Sequence, residues 1–109
     1  MDESQALDAL AALSQQTRLR MLRYLVTKGA AGASAGEIGA FAGAISSRTS
    51  FHLSALARAG LITATRKSRH VIYTVDFQAV GGLIAYLVQD CCQGNAEVLR
   101  CCAMPTDRC

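Results

Sequence analysis

The fold is decided by residues 46–62, which read SSRTSFHLSALARAGLI. Ser46 or Ser47 can cap the start of a helix, because a serine oxygen accepts a hydrogen bond from the N–H groups that a helix start leaves free. The apolar residues at helical spacing are Leu53, Leu56 and Ala57. Gly60 stands where a left-handed C-terminal residue belongs. The stretch predicts a helix over 46–58 that packs by one face.

A second helix is predicted just before this one. Residues 34–37 (SAGE) have the capping-box pattern, in which the serine and glutamate side chains each bind the other's backbone N–H. The helix that begins there directs Ile38 and Phe41 inward, and Gly43 ends it. Two helices with so short a connection make a helix-turn-helix.

After Gly60 the apolar spacing changes from helical to alternating. The alternating residues are Ile62, Ala64, Val71, Tyr73 and Val75. A basic tip, residues 66–70 (RKSRH), separates the two runs. This pattern predicts a β-hairpin with a basic tip.

Helices are also predicted on both sides of this unit. Residues 4–13 form the first, Ser14 can cap a second, and a last helix runs over 76–90 before a stop at Gly94. The residues expected to face inward are Ala6, Leu7, Leu10 and Leu13, then Leu19, Leu22, Leu25 and Val26, and finally Val80, Leu83, Ile84, Leu87 and Val88. The predicted fold class is mainly α (α+β): a winged helix-turn-helix of about five helices with one hairpin wing.

The basic residues are concentrated in the middle of the chain. The net charge is only +3, but residues 17–69 contain nine basic side chains against a single acid, Glu37. Both flanks are acidic. This distribution suggests a polyanionic partner for the middle segment, although a solvated helix face would give the same pattern.

Two motifs point to a known family. Residues 50–62 (SFHLSALARAGLI) resemble the S-x-H-L-x-x-L-x-x-A-G-L-I/V signature of the ArsR/SmtB family of bacterial repressors. Residues 17–22 (TRLRML) resemble that family's P-T-R-L-x-I-L motif, with Gln16 in place of the proline. The resemblance implies a homodimer whose first and last helices pair, with a DNA-binding and dimerisation domain at 1–94 and a cysteine-containing tail at 95–109.

The residues expected to contact operator DNA lie at two places. The recognition helix, predicted at residues 46–58, is expected to enter a major groove by its first turn, and the hairpin tip to reach backbone phosphate or the minor groove. The candidates are Ser46, Ser47, Arg48, Thr49, Ser50, His52, Lys67 and Arg69. Arg48 is the candidate for reading a guanine. Alternatively, the serines are only caps and His52 is a partly buried residue packed on the hairpin.

All five cysteines fall within residues 91–109, and the first 90 residues contain none. A set of thiolates without histidine favours a soft centre, and three thiolates suit trivalent arsenic or antimony. The candidate ligands are Cys91, Cys92, Cys101 and Cys102, whereas Cys109 near the end of the chain is expected to be free. The family's zinc sites require Asp, His and Glu on the last helix, but residues 76–90 contain no histidine.

The third thiolate ligand can come from either Cys101 or Cys102. The pattern resembles a subgroup of ArsR repressors whose last helix ends in a vicinal cysteine pair with a further cysteine soon after. Here, however, the sixth residue after Cys92 is Val98. The effector is expected to be arsenite, a trivalent organoarsenical or antimony, and no cofactor is expected for folding. An alternative is a redox or sulfide switch between the two cysteine pairs.

Several classes of protein are excluded by composition. No apolar stretch is long enough for a membrane helix, and the acidic start does not suit a signal peptide, so a cytoplasmic protein with free thiols is expected. An odd cysteine count argues against a disulfide framework. Vicinal cysteines are not a C-x-x-C redox motif, and no His with Asp or Glu forms a catalytic constellation, so an enzyme is not expected.

Overall fold

The computed structural model of the chain describes residues 1–103. The helices and strands follow in the order α1 Glu3–Leu13, α2 Gln16–Lys28, β1 Ala33–Ser34, α3 Ala35–Ala42, α4 Ser46–Arg58, β2 Ile62–Lys67, β3 His70–Val75, α5 Phe77–Ala85 and α6 Ala96–Ala103. A short 3₁₀ turn, Gly29–Ala31, follows α2, and a π-helical segment, Tyr86–Cys91, continues α5. This is the predicted winged helix-turn-helix with one helix more than expected.

The wing is a three-stranded antiparallel sheet in the order β1-β3-β2. Pairing of β2 with β3 runs from Ile62 opposite Val75 to Lys67 opposite His70, so residues 68 and 69 form the turn. The hairpin and its basic tip are therefore confirmed. The short strand β1 adds to the other edge of β3, with Ala33 opposite Tyr73. It ties the start of α3 to the wing.

The core lies where α2, α3 and α4 meet the base of the wing. Its largest fully buried side chains are Met21, Leu25, Ile38, Leu53, Leu56 and Leu61. The capping box at Ser34 and Glu37 is present, and Gly43 ends α3 in the left-handed conformation. Gly60, just after α4, also has a positive φ of 81°. These signals of helix start and stop are confirmed.

Two predicted N-caps are wrong, although α4 begins at Ser46 as expected. The N-cap of α2 is Gln15, whose side chain accepts a hydrogen bond from the N–H of Arg18 at 2.8 Å. Ser14 instead closes α1 by donating to the carbonyl of Ala11 at 3.0 Å. The N-cap of α4 is Ile45, without a side-chain cap, so Ser46 and Ser47 lie inside the helix.

The faces of α1 and α2 differ from the predicted stripes. Alanines bury the inner face of α1, whereas Leu7 and Leu10 are 60% and 40% exposed. On α2, Leu19 and Val26 are exposed and Met21 is buried in their place. The buried residues of α1 are Ala6, Ala9 and Ala12. Small side chains let α1 lie close to the domain and leave its leucines on the surface.

One further residue and one segment depart from expectation. Phe41 is 58% exposed and stacks on Tyr24, with 4.6 Å between ring centroids, rather than entering the core. Beyond Gly94, where no periodicity was found, Asn95 caps α6 by accepting from the N–H groups of Glu97 and Val98. Over residues 1–103, none of the helices is long and apolar enough to cross a membrane.

Candidate nucleic-acid interface and thiol cluster

Helices α3 and α4 are held together by an unusually close approach. A methyl group at Gly39 would lie 2.5 Å from the hydroxyl of Thr49, so only glycine fits there. Thr49 is buried, and its hydroxyl donates to the carbonyl of Ile45 at 3.0 Å. The start of α4 is thereby fixed against α3, which orients the recognition helix.

Four of the predicted DNA contacts lie on the exposed face of α4: Ser46, Ser47, Arg48 and Ser50. Thr49 and His52 do not, because their side chains are 3% and 7% exposed. For Thr49, this burial contradicts the expected contact with base edges or phosphates, whereas for His52 it agrees with the alternative of a buried structural residue. Both belong to the same inward stripe as Leu53 and Leu56.

His52 instead joins two helices through Arg18, a residue that the sequence did not single out for this role. The Nε–H of Arg18 donates to Nδ1 of His52 at 3.2 Å, which requires a neutral ring with its hydrogen on Nε2. The pKa of His52 is lowered from 6.5, first by burial and then by the charges of Arg18 and Arg48. The guanidinium of Arg18 also lies 5.9 Å from the ring centre of Phe51. The recognition helix is therefore anchored to α2 by a neutral histidine.

This contact predicts a pH dependence of stability. Because the folded pKa of His52 lies below 6.5, the unfolded chain binds the proton more tightly, and the free energy of unfolding should fall as the pH drops below 6.5. One proton limits the slope to about 1.4 kcal/mol per pH unit. Urea unfolding between pH 7.5 and 5 measures this change in the free energy of unfolding. Glu37, whose pKa is lowered from 4.5, affects the free energy of unfolding only at lower pH.

The matched control for this prediction is the other histidine. His52→Asn removes the titrating group and should flatten the profile between pH 6.5 and 5. His70→Asn, at an exposed position of the wing, should leave it unchanged. An unaltered slope in the His52 variant would assign the pH dependence to other groups.

The wing places its cations at its tip. Lys67 ends β2 opposite His70, and Arg69 lies in the turn beside Ser68, whose φ is 57°. Lys67 and Arg69 are both exposed. Their role in DNA binding stays a prediction, but the structure leaves both side chains accessible at the end of the hairpin.

The first cysteine pair lies where the last long helix loosens. The segment Tyr86–Cys91 is π-helical, and the N–H of Cys92 donates to the carbonyl of Leu87 at 2.9 Å, five residues back. Cys91 is exposed and Cys92 is half-buried. The pKa of the Cys92 thiol is raised by desolvation and then by a hydrogen bond with the Cys91 thiol. Cys91 and Cys92 are adjacent residues at the end of this π-helical segment, whereas adjacent side chains of a regular α-helix do not face each other.

The second pair lies on α6. Cys101 is half-buried and Cys102 is exposed, and both are free thiols. Within residues 1–103, no three His, Cys, Asp or Glu side chains are grouped closely enough to hold a metal ion. Cys109 lies outside the described residues. In the described part of the chain, the predicted ligands thus lie as two separate pairs, and their role in binding a metalloid stays a prediction.

The chain is similar in sequence to known helix-turn-helix proteins. A family model described as "Helix-turn-helix domain" matches residues 13–64. The HTH-type transcriptional regulator YgaV of Escherichia coli (strain K12) is 37% identical over 83 residues, which are 76% of this chain and 82% of YgaV.

Two solved structures have similar folds. An ArsR-like transcriptional regulator from Rhodococcus sp. RHA1 has a TM-score of 0.73 at 21% identity, over 94% of this chain and 96% of that one. A protein described as "Possible transcriptional regulator for arsenical resistance" has a TM-score of 0.67 at 29% identity, over 92% of this chain and 98% of that one.

Fold and similarity together define a class: the chain is a transcriptional regulator of the helix-turn-helix type, and its relatives are regulators rather than enzymes. Within that class, it belongs to the ArsR family. The exposed face of α4 and the wing are the parts that such a regulator offers to DNA.

Proposed function

We propose that the chain is a homodimeric repressor that releases operator DNA when trivalent arsenic or antimony binds its C-terminal thiolates. The observation that carries the proposal is the position of two adjacent free cysteines, Cys91 and Cys92, at the end of the π-helical segment that continues α5. Two adjacent thiols can act as a chelating pair for a thiophilic centre. Each As–S bond formed replaces an As–OH group of arsenous acid and releases one water.

Homodimerisation is supported by the apolar residues that α1 and α5 leave exposed. Leu7 is 60%, Phe77 51% and Ile84 50% exposed. The resemblance to the ArsR/SmtB family implies that these two helices pair across the dimer. A second copy of the chain would cover these side chains and set the spacing of the two α4 helices at one turn of DNA, about 34 Å.

Coupling follows from the position of the thiols. Cys91 and Cys92 directly continue α5, so a third ligand drawn from α6 would pull on the helix that forms the dimer interface. Cys101 and Cys102 lie ten residues beyond Cys91 and Cys92, respectively, across the short connection at Gln93–Asn95. A coupling free energy of about 1–3 kcal/mol corresponds to roughly 5- to 150-fold weaker operator binding.

A redox or sulfide switch is the second candidate. Such a switch needs an attacking thiolate, and redox-sensing cysteines usually have a low pKa. The pKa of Cys92 is raised by desolvation and by the Cys91 thiol. A raised pKa lowers the fraction of reactive thiolate at Cys92 and so disfavours rapid oxidation.

The test is a titration of the reduced dimer on labelled operator duplex with arsenite, followed by fluorescence anisotropy. Cys91→Ser and Cys92→Ser should bind the duplex like the wild type but fail to release it, because the chelating pair is broken. Single Cys101→Ser and Cys102→Ser variants identify the third ligand, and Cys109→Ser should behave like the wild type.

Two results would count against the proposal. Normal arsenite release in the Cys91 and Cys92 variants would put the effector site elsewhere. Release by peroxide or a persulfide donor, with a disulfide or polysulfide seen by mass spectrometry and no release by arsenite, would establish the redox or sulfide switch instead.

A further inference from the structure

The exposed face of the recognition helix carries one large apolar side chain. On α4, Ser47, Ser50, Phe51 and Ser54 are all exposed, while the inward stripe is taken by other residues. Phe51 is 60% exposed although its neighbours on this face are small and polar. A phenyl ring in that position contributes nothing to the core, and its exposure to water is unfavourable.

The ring of Phe51 is nevertheless held in place. The guanidinium of Arg18 lies 5.9 Å from its centre, and the His52 ring meets it edge-on with 5.6 Å between centroids. Arg18 is itself fixed by its hydrogen bond to His52. Since these contacts orient the ring before any partner arrives, a partner that touches it pays little ordering entropy.

The chemistry of that partner follows from the surroundings. Small serines on either side of the ring allow close approach of a groove wall, and Arg48 on the same helix favours a polyanion. The major groove of duplex DNA displays a single apolar group, the C5-methyl of thymine, and aromatic side chains make apolar contact with it. Single-stranded DNA is less suited, because stacking platforms use successive aromatic rings and α4 carries one.

We infer that Phe51 is a specificity-determining residue that reads a thymine methyl group in each operator half-site. This rests on the proposed binding of duplex operator DNA by α4. The Phe51 ring packs on the methyl group, and Arg18 and His52 keep the ring at the angle that this contact needs. The pair Phe51 and Arg48 thus divides the reading of the half-site between an apolar and a hydrogen-bonding contact.

The experiment removes single methyl groups from the DNA. An operator is first obtained by selecting bound sequences from a random duplex library, and each thymine of one half-site is then replaced in turn by deoxyuridine, symmetrically in both halves. At one thymine position, the replacement should lower the affinity of the wild type for the duplex by about fourfold per half-site. This is the loss expected when one methyl group is no longer buried. Phe51→Ala should show no loss at that position, while responding like the wild type at the others.

Phe41→Ala is the matched control, because this phenylalanine is similarly exposed but lies on α3 and stacks on Tyr24. Its deoxyuridine profile should equal that of the wild type. Identical profiles for wild type and Phe51→Ala would overturn the inference. Specific binding only to single-stranded DNA would overturn it too. A library that yields no enriched duplex would instead contradict the proposed operator binding itself.

Discussion

Arg48→Ala is expected to bind operator DNA about 10- to 100-fold more weakly than the wild type at the same salt concentration. Arg48 is exposed in the first turn of α4, whose N–H groups have no side-chain cap. From there its guanidinium can donate two hydrogen bonds to O6 and N7 of guanine, a contact that discriminates against the wrong base by about 1–3 kcal/mol. Anisotropy titration measures the loss, and the melting temperature should stay within a degree or two because the side chain is not part of the core.

Two control variants distinguish hydrogen bonding of Arg48 to a base from the general effect of a positive charge. Arg48→Lys keeps the positive charge but loses the two-pronged donor, so most of the loss should persist and discrimination at one base pair should relax. Arg23→Ala removes an exposed cation on α2 and should change affinity little. If Arg48→Ala weakens all sequences equally and lowers the salt slope by about one, Arg48 contacts a phosphate and reads no base.

Gly32→Ala is expected to lower the free energy of unfolding by about 2–6 kcal/mol. Gly32 has φ 66° and ψ −164°, a region that residues with a Cβ rarely enter, at a cost of about 1–3 kcal/mol. A methyl group there would also lie 2.4 Å from the carbonyl oxygen of Tyr73, and the resulting overlap costs about another 1–3 kcal/mol. That oxygen belongs to β3, the central strand of the sheet, and cannot easily move.

The variant Gly29→Ala separates the cost of backbone strain from the cost of steric overlap. Gly29 also has a positive φ, 56°, but a methyl group there would meet nothing within 4 Å. Gly29→Ala should therefore show only the backbone strain, about 1–3 kcal/mol. Urea unfolding of both variants gives the steric part as the difference, and equal losses would mean that the wing relaxes around the added methyl group.

Features that depend on neighbours in sequence were predictable. The capping box at Ser34, the glycines that end α3 and follow α4, and the alternation of the hairpin are all local patterns, and each is present. The inward position of Thr49 and His52 could also have been predicted from the sequence. Both lie on the stripe of Leu53 and Leu56, which the sequence had already identified as the packing face.

Features that depend on packing were not predictable. Both faces of α1 are apolar, and only the tight fit against the domain turns Ala6 and Ala9 inward and Leu7 outward. The bond between Arg18 and His52 joins residues 34 positions apart. The start of α6 depends on a single cap, Asn95, ahead of a short helix with exposed Val98 and Leu99.

The π-helical segment Tyr86–Cys91 holds more residues in its turn than an α-helix of the same length. Loss of one residue from this segment would let it return to an ordinary α-helical turn, so that the change in length is absorbed within the segment. Helices α1 to α4 and the wing lie upstream and would keep their positions. A chain built this way can change length by one residue beside Cys91 and Cys92 while α4 and the wing, which come earlier in the sequence, stay as they are.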